Sequence, residues 1–130
     1  MTTLIKRKKS VGLAALGLAV LISGSAMAEG SSVAVLSPSD LDAEGKHLYI
    51  TDGLLNNIAY ENYGTPSYRA MVSKSVSWGP DPEIFSRTVY SGEDQSGESR
   101  KTETANYYPR AKLLGTPGIE AGGAVYINDL

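Results

Sequence analysis

Between Pro66 and Gly79 the side chains alternate in a way that only an extended backbone can use. Tyr68, Ala70, Val72, Val76 and Trp78 fall on alternate positions, with Lys74 the one polar member, while Arg69, Ser73, Ser75 and Ser77 fill most of the other face. Successive side chains of a strand point to opposite sides, whereas a helix would scatter these apolar groups around its axis. The segment is therefore expected as a half-buried strand, preceded by a turn-prone Asn56-Asn57 pair and by a break at Gly64-Thr65-Pro66. Further extended segments follow from the same pattern: His47–Thr51 before the Asp52-Gly53 turn, Glu83–Tyr90 after the Gly79-Pro80-Asp81-Pro82 break, Lys101–Tyr108, Arg110–Leu114, and a closing Ala124–Asn128 after Gly122-Gly123. Pro109 is expected to end a strand or to mark an edge, because proline cannot donate to a ladder. Ser91–Arg100 is almost free of apolar side chains and reads as a mobile loop, with Glu93, Asp94 and Glu98 as solvated charges lacking the spacing of a calcium loop. Short strands between Gly and Pro turns, with no sustained helical period beyond the first residues, predict an all-β fold: a small antiparallel β-sandwich.

The first residues have a different character. Lys6-Arg7-Lys8-Lys9 precedes an uncharged run from Val11 to Ile22, and Ala26-Met27-Ala28 stands before Glu29. Basic residues, a short apolar run and small residues two apart are the parts of a cleavable helical signal peptide, here 1–28, with Ala26 and Ala28 in the peptidase subsites and Glu29 as the first mature residue. The apolar run is short of the roughly 20 residues that span a bilayer. Signal peptidase is thus an expected partner during export, and the mature chain is expected outside the cell.

Removing the leader takes four of the 12 basic residues and none of the 14 acidic ones, which leaves 8 against 14 and a formal charge of −6. Nucleic acid and anionic lipid both need clustered Lys and Arg, so neither is an expected partner. The chain has no cysteine, so packing must do what disulfides do in many small exported domains. All eight tyrosines, the Trp and the Phe lie beyond the leader, and tyrosine suits a thin sandwich because its ring can bury while its hydroxyl finds a partner. Residues 29–46, rich in Ser, Gly, Asp and Glu around Val33–Leu36, are expected as a flexible extension before a folded domain at 47–130.

Catalytic chemistry has little to stand on. His47 is the one histidine and is expected exposed or at a strand end; no metal site, cofactor or phosphate-binding loop is legible, and no enzyme is expected. What stands out is a set of rings and hydrogen-bonding groups around the central turn: Tyr60, Asn62, Tyr63, Tyr68, Arg69 and Trp78. Such groups stack on sugars or form interfaces, and they are the candidate target-binding residues.

The order of features resembles the lactococcin 972 family of secreted bacteriocins. The resemblance rests on the leader ending Ala-Met-Ala before Glu-Gly, on Tyr60-Glu61-Asn62-Tyr63 leading through a Gly, Pro and Ser turn into Ser67-Tyr68-Arg69-Ala70-Met71-Val72, and on Ala111-Lys112 with the closing Ala124-Val125-Tyr126-Ile127-Asn128. It spans roughly 48–128, with 79–100 as an insertion. It implies a sandwich of two small antiparallel sheets, with a homodimer as one implied assembly. It also implies inhibition of related Gram-positive bacteria by binding the lipid-linked cell-wall precursor, lipid II, and blocking septum formation without catalysis. A noncatalytic extracellular surface or matrix module is the alternative. If the leader is cleaved as expected, mass spectrometry of the exported chain will show it beginning at Glu29; a chain retaining Met1 would contradict this.

Overall fold

The computed structural model describes residues 30–116 and 120–129, so the expected leader, with Ala26, Ala28 and Glu29, lies outside the described residues. Among the described residues nine strands run in chain order: β1 Ser31–Leu36, β2 Asp42–Glu44, β3 Leu48–Ile50, β4 Gly53–Asn62, β5 Tyr68–Lys74, β6 Glu83–Val89, β7 Asp94–Thr102, β8 Ala105–Leu113 and β9 Gly123–Asn128. No helix occurs among the described residues. A four-stranded sheet has the order β1-β9-β4-β7, and a five-stranded sheet the order β2-β8-β5-β6 with β3 also on β8. Every pairing is antiparallel. The expected all-β sandwich is the fold.

Its core is the layer between the sheets. Tyr68, Ala70 and Val72 of β5 are fully buried, as their alternation requires, and meet Leu36, Leu55, Ile58, Tyr60, Val125 and Ile127 from the other sheet. β5 stops at Lys74, so Val76 and Trp78 belong to the loop that follows. Tyr68 reaches furthest. Its hydroxyl sits 2.7 Å from the Glu61 carbonyl of β4 and 2.9 Å from the Ala124 carbonyl of β9, one proton serving both. A Cβ at Gly123 would lie 2.4 Å from this ring, so glycine is what lets the phenol through.

Five expectations are corrected, the first being the single strand over Lys101–Tyr108, which is broken at Glu103-Thr104 between β7 and β8. Residues 31–46 are not a flexible extension: β1 pairs along its whole length with β9, and Ala34 and Leu36 are fully buried. Nor is Ser91–Arg100 a mobile loop, since Asp94 begins β7, an edge strand paired to β4. Asn56-Asn57 is no turn. It lies inside β4, where Leu55 and Ile58 oppose Arg100 and Glu98, so one extra residue is inserted as a bulge. Asn57 accepts a hydrogen bond from Gly97, whose φ of 87° holds the matching irregularity in β7.

Pro109 neither ends a strand nor marks an edge. β8 runs through it, with β5 on one side and β2 and β3 on the other. The N and C=O of a strand residue point to the same side, and the Pro109 carbonyl accepts from the Gly45 N–H at 3.0 Å. Its missing donor therefore faces the gap between β2 and β3, where no ladder bond is needed. Gly45 is forced here: a Cβ would meet Val33 O at 2.6 Å and Pro109 Cγ at 2.7 Å.

Urea unfolding tests the inter-sheet lock. Tyr68→Phe should cost about 1 kcal/mol, the net value of the hydroxyl's bonding. Gly123→Ala should cost about 2 kcal/mol by forcing a methyl into the ring. An unchanged midpoint for Gly123→Ala would show that the sheets are not locked at this point.

Candidate functional site

Antiparallel strands gather their loops at two ends. One end carries the loops 37–41, 63–67, 90–93 and the segment before β9; the other carries 51–52, 75–82 and 103–104. Tyr63 precedes β5 and Trp78 follows it, so the length of that strand, about 20 Å, separates them. The candidate residues do not form one surface.

At the Tyr63 end, Asn62 organises the backbone. It is buried, and its side-chain amide donates to Pro66 O at 2.9 Å and Val89 O at 3.0 Å while its carbonyl accepts from Gly64 N at 2.9 Å. Its own N–H donates to Glu93 O and its C=O accepts from Gly92 N, both at 2.9 Å. Gly64 N also donates to Gly122 O, and Ser91 Oγ donates to Gly64 O. Two loops and the start of β9 are thus held as one unit. Glycine is required at position 64, where a Cβ would lie 2.2 Å from Glu120 O. The Tyr63 ring lies against Gly122, where a Cβ would come within 2.7 Å of it, yet the residue remains 54% exposed.

Beside this unit a cleft of about 240 Å³ opens between the sandwich edges β6 and β7, lined by Tyr60, Arg87, Gly92, Glu93, Asp94 and Gln95. Tyr60 is almost wholly buried, packed 5.9 Å from Phe85, with the Arg87 guanidinium 6.0 Å from its ring centre. Burial pushes its phenol up, with Arg87 acting the other way. The Glu93 carboxylate caps the turn by accepting from Tyr90 N at 2.8 Å. One cation thus faces two carboxylates and an amide.

Of the sequence candidates, Tyr63 is presented to solvent at this end and Tyr60 floors the cleft. Asn62 and Tyr68 are spent on internal bonding. Arg69 lies on the outer face of the five-stranded sheet, bound to Glu83 at 3.1 Å and to Ser86 Oγ at 2.6 Å. Arg87 and Gln95, which line the cleft, were not singled out. Arg87 did leave a signal: it takes the position between Phe85 and Val89 on the inward face of its strand, where a charge is unexpected. Among the described residues, no group of three or more His, Asp or Glu side chains converges to hold a metal.

Glu61 adjoins this unit and pairs across to Asp94. Burial first, and the Asp94 charge second, push its carboxyl up to about 7 from 4.5. The native state holds this proton more tightly than the unfolded chain, so the stabilisation is complete below 4.5 and lost as pH rises through about 7. Asp81, held down first by the Tyr108 hydroxyl, and Glu103, held down first by Lys74, shift oppositely and act below that range. Between pH 5 and 8 the melting temperature should fall, and Glu61→Gln should remove about 1 kcal/mol of the loss, since a half-solvated carboxylate retains only part of the full effect. An identical fall in the variant would assign the pH dependence to another group.

No family model matches this sequence, and no curated protein matches it. Among solved structures, the crystal structure of PirA matches with a TM-score of 0.54 at 11% identity, covering 80% of this chain and 97% of that one. A CBM4 structure matches with a TM-score of 0.37 at 13% identity, over 79% of this chain and 70% of its own. At such identities the likeness to PirA is one of fold alone.

Proposed function

We propose that this chain is an exported, noncatalytic recognition protein that inhibits related Gram-positive bacteria in the manner of the lactococcin 972 family, by binding a cell-wall precursor and blocking septum formation. The supporting observation is the Tyr63 end: an exposed ring fixed on a hydrogen-bonded double loop beside a polar cleft. A surface fixed before it meets its ligand loses little freedom on binding. One of the three stretches that carry the family resemblance, Tyr60–Val72, runs through this end. With Arg87 balanced by Glu93 and Asp94, the cleft suits the amide, hydroxyl and amine groups of a precursor better than its pyrophosphate, which wants convergent cations.

Growth inhibition is the test. The chain from Glu29 onward should inhibit sensitive strains in a broad Gram-positive panel and leave dividing cells without complete septa. Tyr63→Ala should lower potency roughly tenfold, about 1.4 kcal/mol, with circular dichroism unchanged. Binding to cells without inhibition would favour the alternative, an extracellular surface or matrix module. Neither binding nor inhibition across the panel would overturn both.

A further inference from the structure

We propose that the end of the sandwich opposite Tyr63 carries a separate binding site, a platform of rings on the outer face of the five-stranded sheet made by His47, Tyr49, Asn106 and Trp78, and that its ligand is a neutral polysaccharide chain. The platform follows from strand geometry. Leu48 and Ile50 of β3 turn inward, so Tyr49 turns outward and is 67% exposed. Its cross-strand partner is Asn106 of β8, also exposed, which sets a phenol beside a carboxamide at a spacing of about 5 Å. His47, two residues before Tyr49, lies on the same side. Its ring stacks on Tyr108 at 4.3 Å with an interplanar angle of 7°, and the residue is exposed.

Trp78 comes from the loop between β5 and β6, and that loop is anchored to the same face. The Asp81 carboxylate accepts from the Tyr108 hydroxyl at 2.5 Å through one oxygen and from Val76 N at 3.0 Å through the other. Trp78, 76% exposed, projects from the loop so held. β3 and β5 both neighbour β8, so they lie about 10 Å apart, a span that two or three sugar rings cover. Beneath, Ser73 pairs with Tyr108 across the sheet and is fully buried, with a hydroxyl that has no protein partner. Buried hydroxyls are rarely left so.

The chemistry of the face selects the ligand. Its exposed large apolar side chains are rings, Tyr49 and Trp78, whereas Leu41 and Leu114 lie at the other end and Leu54 belongs to the other sheet. Polyanions are disfavoured: on this face Arg110 is paired with Glu44 at 3.7 Å, and Asp81 adds a further carboxylate. A sugar has a C–H face for the rings and hydroxyls for the Asn106 amide.

Trp78 is the sole tryptophan of the chain, so its fluorescence reports directly on this site. The purified chain is titrated with cellotetraose, chitotetraose, xylotetraose and mannotetraose, with polygalacturonate as the anionic control, and amide NMR shifts are followed in parallel. At least one neutral oligosaccharide should give a saturable emission change with shifts centred on 47–49, 106 and 78. Tyr49→Ala should weaken that binding roughly tenfold, whereas Tyr63→Ala should leave it unchanged, both variants melting like the parent. The site is refuted if no neutral oligosaccharide binds at millimolar concentration, if polygalacturonate binds in preference, or if Tyr63→Ala weakens binding as much as Tyr49→Ala. Because the readout uses no cells, its outcome is independent of growth inhibition.

Discussion

The ring of Tyr68 stands on the five-stranded sheet and ends in the four-stranded one, its hydroxyl between the carbonyls of Glu61 and Ala124. In a chain without cysteine this is the nearest thing to a cross-link. The bonding itself is worth only about 1 kcal/mol net, but a phenol with no partner in that interior would cost more than it gained, so the sheets are held in one relative position. Position then propagates. Once β4 and β9 are placed, Asn62 reaches the two loops it ties together, and Gly122 falls where the Tyr63 ring can lie on it. The surface at that end is thus set by a contact in the core.

How much of this could be read beforehand depended on whether a strand's burial was local or borrowed. β5 was legible because Tyr68, Ala70 and Val72 carry their own pattern. β7 was not, since Asp94–Thr102 lies at an edge with little to bury, and it is a strand only because β4 supplies the ladder. β1 was obscured differently: Val33–Leu36 showed as an apolar run, but the partner that makes it a strand, β9, lies at the far end of the chain. No local signal announces a pairing over that separation. Pro109 misled because the rule against proline in a ladder assumes a continuous neighbour, and here the neighbour is interrupted at Gly45.

The candidate residues divide along the same line. Tyr60 and Asn62 share the inward face of β4 with Ile58, while Glu61 and Tyr63 share the outward one. Alternation would have assigned them correctly if the phase were known, but the extra residue at Asn56-Asn57 shifts it, so that Leu55 and Ile58 both point inward. A bulge cannot be found from the spacing of apolar residues alone, because it is the pairing partner that reveals the surplus. Tyr49 and Asn106 were hidden for a related reason: each is unremarkable in its own strand, and only the register sets them side by side.

The interruption at Gly45 has a consequence beyond admitting a proline. On that side the five-stranded sheet ends not in one long strand but in two pieces of three residues each, β2 and β3. An incoming strand from another molecule would form a few backbone bonds on one piece and then lose register before the next. Uncontrolled edge-to-edge polymerisation needs a long, straight template, and this border does not offer one. At this border, strand addition is thus blunted by a break in the margin rather than by a covering element.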